Sequence, residues 1–254
     1  LTSLHAEPSF RSEMVSQLVN GVHLELLLEQ DRWAFIRQAD GYLGWAYRSY
    51  LTPRPVPGPT HVVCEPVSLM RDAPAMGARL VSRLVSGTAV CVTALEGSWA
   101  RLSLAELAPG WVPVADLRAL DGLPKDEETR RHQIVQDAAR LRGVPYLWGG
   151  CSALGIDCSA LAQLSHRLVG VTIPRDADMQ CDAGQPVEPP FEPGDLLFFG
   201  SAGQSRSITH VGVSVGGWRM VHSSRARNGV YEDDVQAVTH LRESFVGACT
   251  YVGV

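Results

Sequence analysis

Lysine is nearly missing from this chain: Lys125 is the only one, arginine supplies the rest of the positive charge, and the formal net charge is -5. No dense basic run is left to grip a phosphate backbone, so a nucleic-acid role is not expected. Long apolar runs are lacking as well. The longest candidate, Val19 to Leu28, is broken by Asn20, His23 and Glu25. It falls short of the roughly 18 apolar residues of a membrane span, and no membrane insertion is predicted. Paired cysteines are absent too, since Cys64, Cys91, Cys151, Cys158, Cys181 and Cys249 show no C-x-x-C spacing. They are too dilute for a disulfide scaffold, and most read as buried thiols. Neither a methionine nor a charged-then-apolar leader opens the chain, which leaves the compartment undecided between cytoplasmic and exported.

What is present is apolar residue in quantity, 45% of 254 residues, enough for real cores in one to three domains. Sliding the sequence on itself by 66 positions aligns Val15, Ser16, Leu18, Val19 and Gly21 with Val81, Ser82, Leu84, Val85 and Gly87. Trp33-Ala34 then falls on Trp99-Ala100, Gly44-Trp45 on Gly110-Trp111, and Leu51 on Leu117. A duplicated module explains this better than a shared turn. Short apolar runs broken by Gly, Asp and Pro predict two small all-β barrels, over residues 1–55 and 60–120. Between them Pro53-Arg54-Pro55-Val56-Pro57-Gly58-Pro59 reads as a stiff, extended linker.

Composition changes after Leu123-Pro124, and a third domain is expected over 124–254. Glu127 to Leu141 predicts a helix with Ile134, Ala138 and Leu141 on one face. Asp157-Cys158-Ser159 predicts a second helix, with Asp157 as its N-cap and Cys158 in its first turn. There the unpaired amides and the positive end of the helix dipole favour a thiolate, lowering the thiol pKa. His166 on that helix is expected to face solvent. Strands are predicted over Asp195 to Phe199, His210 to Val215, Trp218 to Ser224 and Ala248 to Val252, with Gly216-Gly217 as a hairpin turn. His210 would open its strand, with His222 in the next. An odd loop or bulge is expected between them, putting His210 across from His222 on one face. His210 could then take the thiol proton while His222 holds its second ring nitrogen.

The Gly-Tyr-Leu-Gly-Trp pattern of the first module resembles bacterial SH3 (SH3b) domains, a resemblance covering roughly residues 1 to 120. The third domain resembles the NlpC/P60 family of cysteine peptidases through Tyr146-Leu147-Trp148-Gly149-Gly150, Asp157-Cys158-Ser159, Ile173-Pro174-Arg175-Asp176-Ala177, Pro193-Gly194-Asp195-Leu196-Leu197-Phe198-Phe199, Thr209-His210-Val211-Gly212 and Val221-His222. That resemblance implies a papain-like α+β fold that cuts peptidoglycan stem peptides next to D-glutamate, with no cofactor or metal. It makes Cys158 the nucleophile, His210 the base, His222 the orienting residue and Tyr146 a group near the oxyanion. Trp148, Ser159, Arg175 and Asp176 resemble pocket-lining positions.

In family members that join the two kinds of domain, the first module recognises a free amino terminus. Here Glu13 corresponds to Arg79 and Tyr42 to Ala108 across the repeat, so copy one carries two polar groups that the barrel does not require. With Asp157, they could surround the ammonium of an N-terminal L-alanine, giving a monomeric enzyme that takes released murein peptides and cuts the γ-D-glutamyl to diamino acid bond. Two rivals stand beside this reading. One is an N-acetylmuramoyl-L-alanine amidase or thiol acyltransferase on the same scaffold; the other is a non-catalytic wall-binding protein. A zinc site made of Cys151, Cys158, His210 and His222 lacks the close paired spacing of structural zinc.

Overall fold

Adding 66 to a residue number turns the first sheet of this chain into most of its second. The computed structural model describes residues 1–53, 58–104, 107–201 and 207–253, so Arg54 to Pro57 of the expected linker lie outside the described residues. The chain divides into two compact units, Leu1–Leu123 and Pro124–Val254.

In the first unit, β1 (Thr2–His5), β2 (Met14–Leu18), β3 (Leu24–Gln30), β4 (Trp33–Gln38) and β5 (Leu43–Tyr47) form a sheet in the order β2-β1-β5-β4-β3. The next strands are β6 (His61–Val63), β7 (Val67–Arg71), β8 (Leu80–Val85), β9 (Ala89–Glu96), β10 (Trp99–Leu104), β11 (Leu107–Pro113) and β12 (Leu117–Ala119). Their order is β12-β6-β9-β10-β11-β7-β8, which contains the first order strand for strand and adds β6 and β12. The cores coincide position by position. Leu4, Leu18, Ala34, Ile36 and Ala46 in the first copy become Met70, Leu84, Ala100, Leu102 and Val112 in the second.

The Gly-Trp pair acquires a physical reason here. Gly44 lies inside β5, where a Cβ would stand 2.6 Å from Leu4 Cγ; on Gly110 it would stand 2.6 Å from Met70 Cγ. Close passage of backbone over a core side chain, rather than a turn, demands glycine at both sites.

The second unit is α+β. Its helix α1 (Glu127–Ala139) is capped by Asp126, which accepts from the Thr129 N–H, and Ile134, Ala138 and Leu141 are all buried. A small hairpin, β13 (Cys151–Ser152) with β14 (Gly155–Ile156), leads into α2 (Cys158–Arg167), followed by α3 (Ala177–Ala183). Strands β15 (Gln185–Val187), β16 (Leu196–Ser201), β17 (Ser207–Gly216), β18 (Arg219–Ser224), β19 (Gly229–Asp234) and β20 (Phe245–Thr250) make a sheet ordered β15-β20-β16-β17-β18-β19. The short helix α4 (Thr239–Ser244) precedes the last strand.

Three expectations are corrected. His210 lies in the middle of β17 rather than at its start, because the strand begins at Ser207. The β17–β18 turn is Gly217-Trp218, since Gly216 pairs with Arg219. His166 is fully buried, its Nδ1 on the Ala162 carbonyl at 2.8 Å. Its helix packs on both α1 and the sheet and is buried nearly all round, so the two-faced pattern that assigned His166 to solvent does not apply.

Candidate active site

Asp157 fixes where Cys158 sits. Its Oδ1 accepts from the Ala160 N–H at 2.8 Å, capping α2, while its Oδ2 accepts from the Gly149 N–H at 3.0 Å and so holds the Tyr146 to Gly150 loop. Arg175 reaches the same carboxylate with both Nη atoms, at 3.1 and 2.6 Å, and donates to Ser159 Oγ at 2.9 Å. Ser159 Oγ donates in turn to Asp157 at 3.2 Å. Asp157 therefore receives five donors from its own chain, and the expected ammonium-holding role meets a carboxylate already filled. Asp176 occupies the N-cap position of α3.

The nucleophile candidate is buried in the first turn of α2, and the backbone amides of Val211 and Ser159 act to lower its pKa. The expected lowering of its pKa is overturned. Burial pushes the Cys158 thiol up to about 12, with the Asp157 charge adding, and the two amides do not offset this. Burial also pushes His210 down to about 3, with His222 and His240 acting in the same direction. The resting pair is thus a neutral thiol and a neutral imidazole.

Between β17 and β18 the register shifts between Ser214 and Gly216, the expected bulge. Beyond it Val213 pairs with Val221, which sets His222 opposite Gly212 and His210 one diagonal step away on the same face, not directly across. A Cβ on Gly212 would lie 2.2 Å from Met220 Sδ and 3.3 Å from His222 Cβ, so the glycine of Thr-His-Val-Gly makes room for its cross-strand neighbours. The rings meet through His210 Nε2 and His222 Nδ1 at 2.7 Å. Ser223, beside His222, donates to the Ile156 carbonyl at 2.7 Å and ties the histidine strand to the segment entering Cys158.

One group escaped the sequence reading. Asp233, on β19, meets His222 Nε2 at 2.9 Å and accepts from Arg227 Nη1 at 2.7 and 2.9 Å. Burial raises its pKa, but the hydrogen bonds from His222 and Arg227 outweigh that and hold it below the usual carboxylate range. Burial likewise lowers His222, against the pull of Asp233.

Tyr146, Leu147, Trp148 and Arg225 line an open cleft of about 450 Å³. Burial pushes the Tyr146 phenol above its ordinary range, with Cys158 and Asp157 adding. Trp148 is 55% exposed on the wall of the cleft. Glu13 and Tyr42 belong to the other unit. Glu13 lies in the β1–β2 loop, where the Ala6 N–H donates to its carbonyl at 3.0 Å; the equivalent Asp72 to Arg79 bond in copy two is also 3.0 Å. The same backbone bond closes the loop in both copies, and in copy two Arg79 adds an ion pair to Asp72 at 3.0 Å. Tyr42, whose N–H donates to Asp40, packs its ring against the first core.

Residues 143–248 match the NlpC/P60 family and residues 4–51 match the bacterial dipeptidyl-peptidase Sh3 domain. A gamma-D-glutamyl-L-lysine dipeptidyl-peptidase of Bacillus subtilis (strain 168) is 38% identical over 116 residues, 45% of this chain and 39% of that protein. The chain therefore spans about two fifths of the length of that relative. Dipeptidyl-peptidase 6 of Lysinibacillus sphaericus is 28% identical over 251 residues, 91% of this chain and 87% of its own. The crystal structure of an NlpC/P60 family protein from Bacillus cereus ATCC 10987 shares the fold, with a TM-score of 0.82 at 22% identity over 94% of this chain and 82% of that one.

Proposed function

We propose, taking as premise that this chain belongs to the NlpC/P60 family and carries a bacterial SH3 domain ahead of its catalytic unit, that it is a cysteine peptidase acting on bacterial cell-wall peptides. The observation that carries the reading is how Cys158 is joined to the histidines: it opens α2, and Ser223 ties the segment entering that helix to the strand whose His222 meets the ring of His210. Cys158 attacks the scissile carbonyl as His210 takes its proton, so thiol and imidazole react from their neutral forms and acquire charge together. His222 holds the far nitrogen of His210. The Cys158 amide and the Tyr146 hydroxyl donate to the oxyanion, contributions worth about 3 to 4 kcal/mol each in transition-state binding.

The bond cut is the one between γ-D-glutamate and a diamino acid, as the name of the Bacillus subtilis relative suggests for that protein. Trp148 and Arg225 wall the substrate cleft, Arg225 offering a cation to a substrate carboxylate. Arg175, Ser159 and Asp176 shape the site from behind. Glu13 and Tyr42 select a free N-terminal L-alanine, a role supported by their loss from the second copy of the repeat. The test is mass-spectrometric identification of products from a mixture of murein fragments, run beside Cys158→Ala. Release of L-Ala-γ-D-Glu by the native chain alone is expected. Products severed between muramic acid and L-alanine, or activity surviving Cys158→Ala, would overturn the assignment.

A further inference from the structure

Asp233, His222 and His210 form a column of hydrogen bonds whose proton positions are fixed by its far end. An ionised carboxylate can only accept, so the 2.9 Å contact with Asp233 requires the hydrogen of His222 on Nε2. Arg227, donating to both carboxylate oxygens, keeps Asp233 ionised. A neutral His222 then has a bare Nδ1, which must accept across the 2.7 Å contact from His210. The hydrogen of His210 is thereby placed on Nε2, and its Nδ1 is the ring nitrogen left with a lone pair.

We infer that Asp233 is a positioning residue that sets the tautomers of both histidines and so presents Nδ1 of His210 as the atom that accepts the Cys158 proton. The inference rests on the reading of Cys158 and His210 as nucleophile and base. It adds that the orienting histidine does not choose its own tautomer. When His210 becomes an imidazolium, its Nε2–H already points along the column toward the carboxylate, and no group has to turn.

Asp233→Asn separates this role from simple packing. Arg227 keeps the oxygen of the new amide and turns its NH2 toward His222 Nε2. That reverses His222, placing a hydrogen on its Nδ1. His210 must then accept at Nε2 and carry its own hydrogen on Nδ1, where the base should be. Asp233→Ala removes the instruction without reversing it. The inference expects the isosteric Asn variant to be the worse enzyme, whereas packing alone expects the Ala variant to be worse.

The experiment is 15N-histidine NMR of the full chain at pH 7, with kcat and KM measured on the peptides used above. In the native chain His222 should show a protonated Nε2 and a bare Nδ1, and Asp233→Asn should exchange the two. Its kcat should fall by on the order of 10² to 10⁴-fold at unchanged KM, as in triads held in the wrong tautomer. A His222 that keeps its Nε2 hydrogen in Asp233→Asn, or a kcat for that variant at or above that of Asp233→Ala, overturns the inference. The tautomers are read without substrate, so a chain that cuts no cell-wall peptide defeats the proposed function and leaves this assignment to be decided by the spectra.

Discussion

Protons are kept off three histidines of the C-terminal unit by burial: His166 is pushed down to about 4, His210 to about 3, and His222 below its ordinary value. In the unfolded chain each takes up a proton near pH 6.5. Above that pH neither state binds the proton and the shifts have no effect on stability. As pH falls below it, the unfolded state binds protons that the folded state refuses, so stability declines from about pH 6.5 down to the folded pKa values. His166, fully enclosed, should alone account for a slope approaching about 1 kcal/mol per pH unit. Carboxylates titrate mainly below this range, so the interval from pH 6.5 to 5 isolates the imidazoles. Urea midpoints measured across it should fall steadily, and a flat profile would show that the rings are reached by solvent.

At the scale of the element, the repeat makes a paired prediction. Gly44→Ala and Gly110→Ala each drive a Cβ into a core side chain, Leu4 in one sheet and Met70 in the other. Overpacking of this kind costs about 1 to 3 kcal/mol. Met70 has more rotatable bonds and can move aside, but Arg71 O lies 2.9 Å from the same Cβ position, so both variants should lower the denaturation midpoint. A neutral result at both sites would remove the close-approach explanation of the Gly-Trp pair. The same scale shows what could be read in advance. Trp33, Trp45 and the five core positions recur at a fixed spacing, and Asp157 caps its helix by chemistry visible in the sequence. β19 was not legible as a strand because Glu232, Asp233 and Asp234 make it polar, as an edge strand can afford to be. Its one local signal is Asn228-Gly229, a hairpin dipeptide, with Asn228 at φ 52°. Reading it would have brought Asp233 alongside His222. The raised thiol pKa was hidden for a different reason: helix position is local, whereas burial depends on what the rest of the chain packs above it.

For the molecule as a whole, duplication supplies an internal control for substrate selection. Two copies share strand order, core positions and the backbone bond that closes the loop, so equivalent exposed sites can be compared on the same backbone. Glu13 and Arg79 are such a pair, alike in backbone and opposite in charge. Glu13→Arg should leave stability within about 0.5 kcal/mol, the usual range for exposed positions, and Arg79→Glu, which breaks an exposed ion pair with Asp72, should cost no more than about 1 kcal/mol. On the proposed reading, Glu13→Arg puts a cation in place of the carboxylate that holds the substrate ammonium. It should raise KM for L-Ala-γ-D-Glu-diaminopimelate by at least about tenfold, a loss of about 1.4 kcal/mol in binding. Arg79→Glu should leave KM unchanged. Acylating the substrate's amino group should remove the advantage of the native chain over Glu13→Arg, because the charge that Glu13 is proposed to recognise is then gone. Equal KM values for native chain and Glu13→Arg on the free-amine peptide would separate cell-wall peptide cleavage, which stands on Cys158 and His210, from amino-terminal selection, which would have to lie elsewhere.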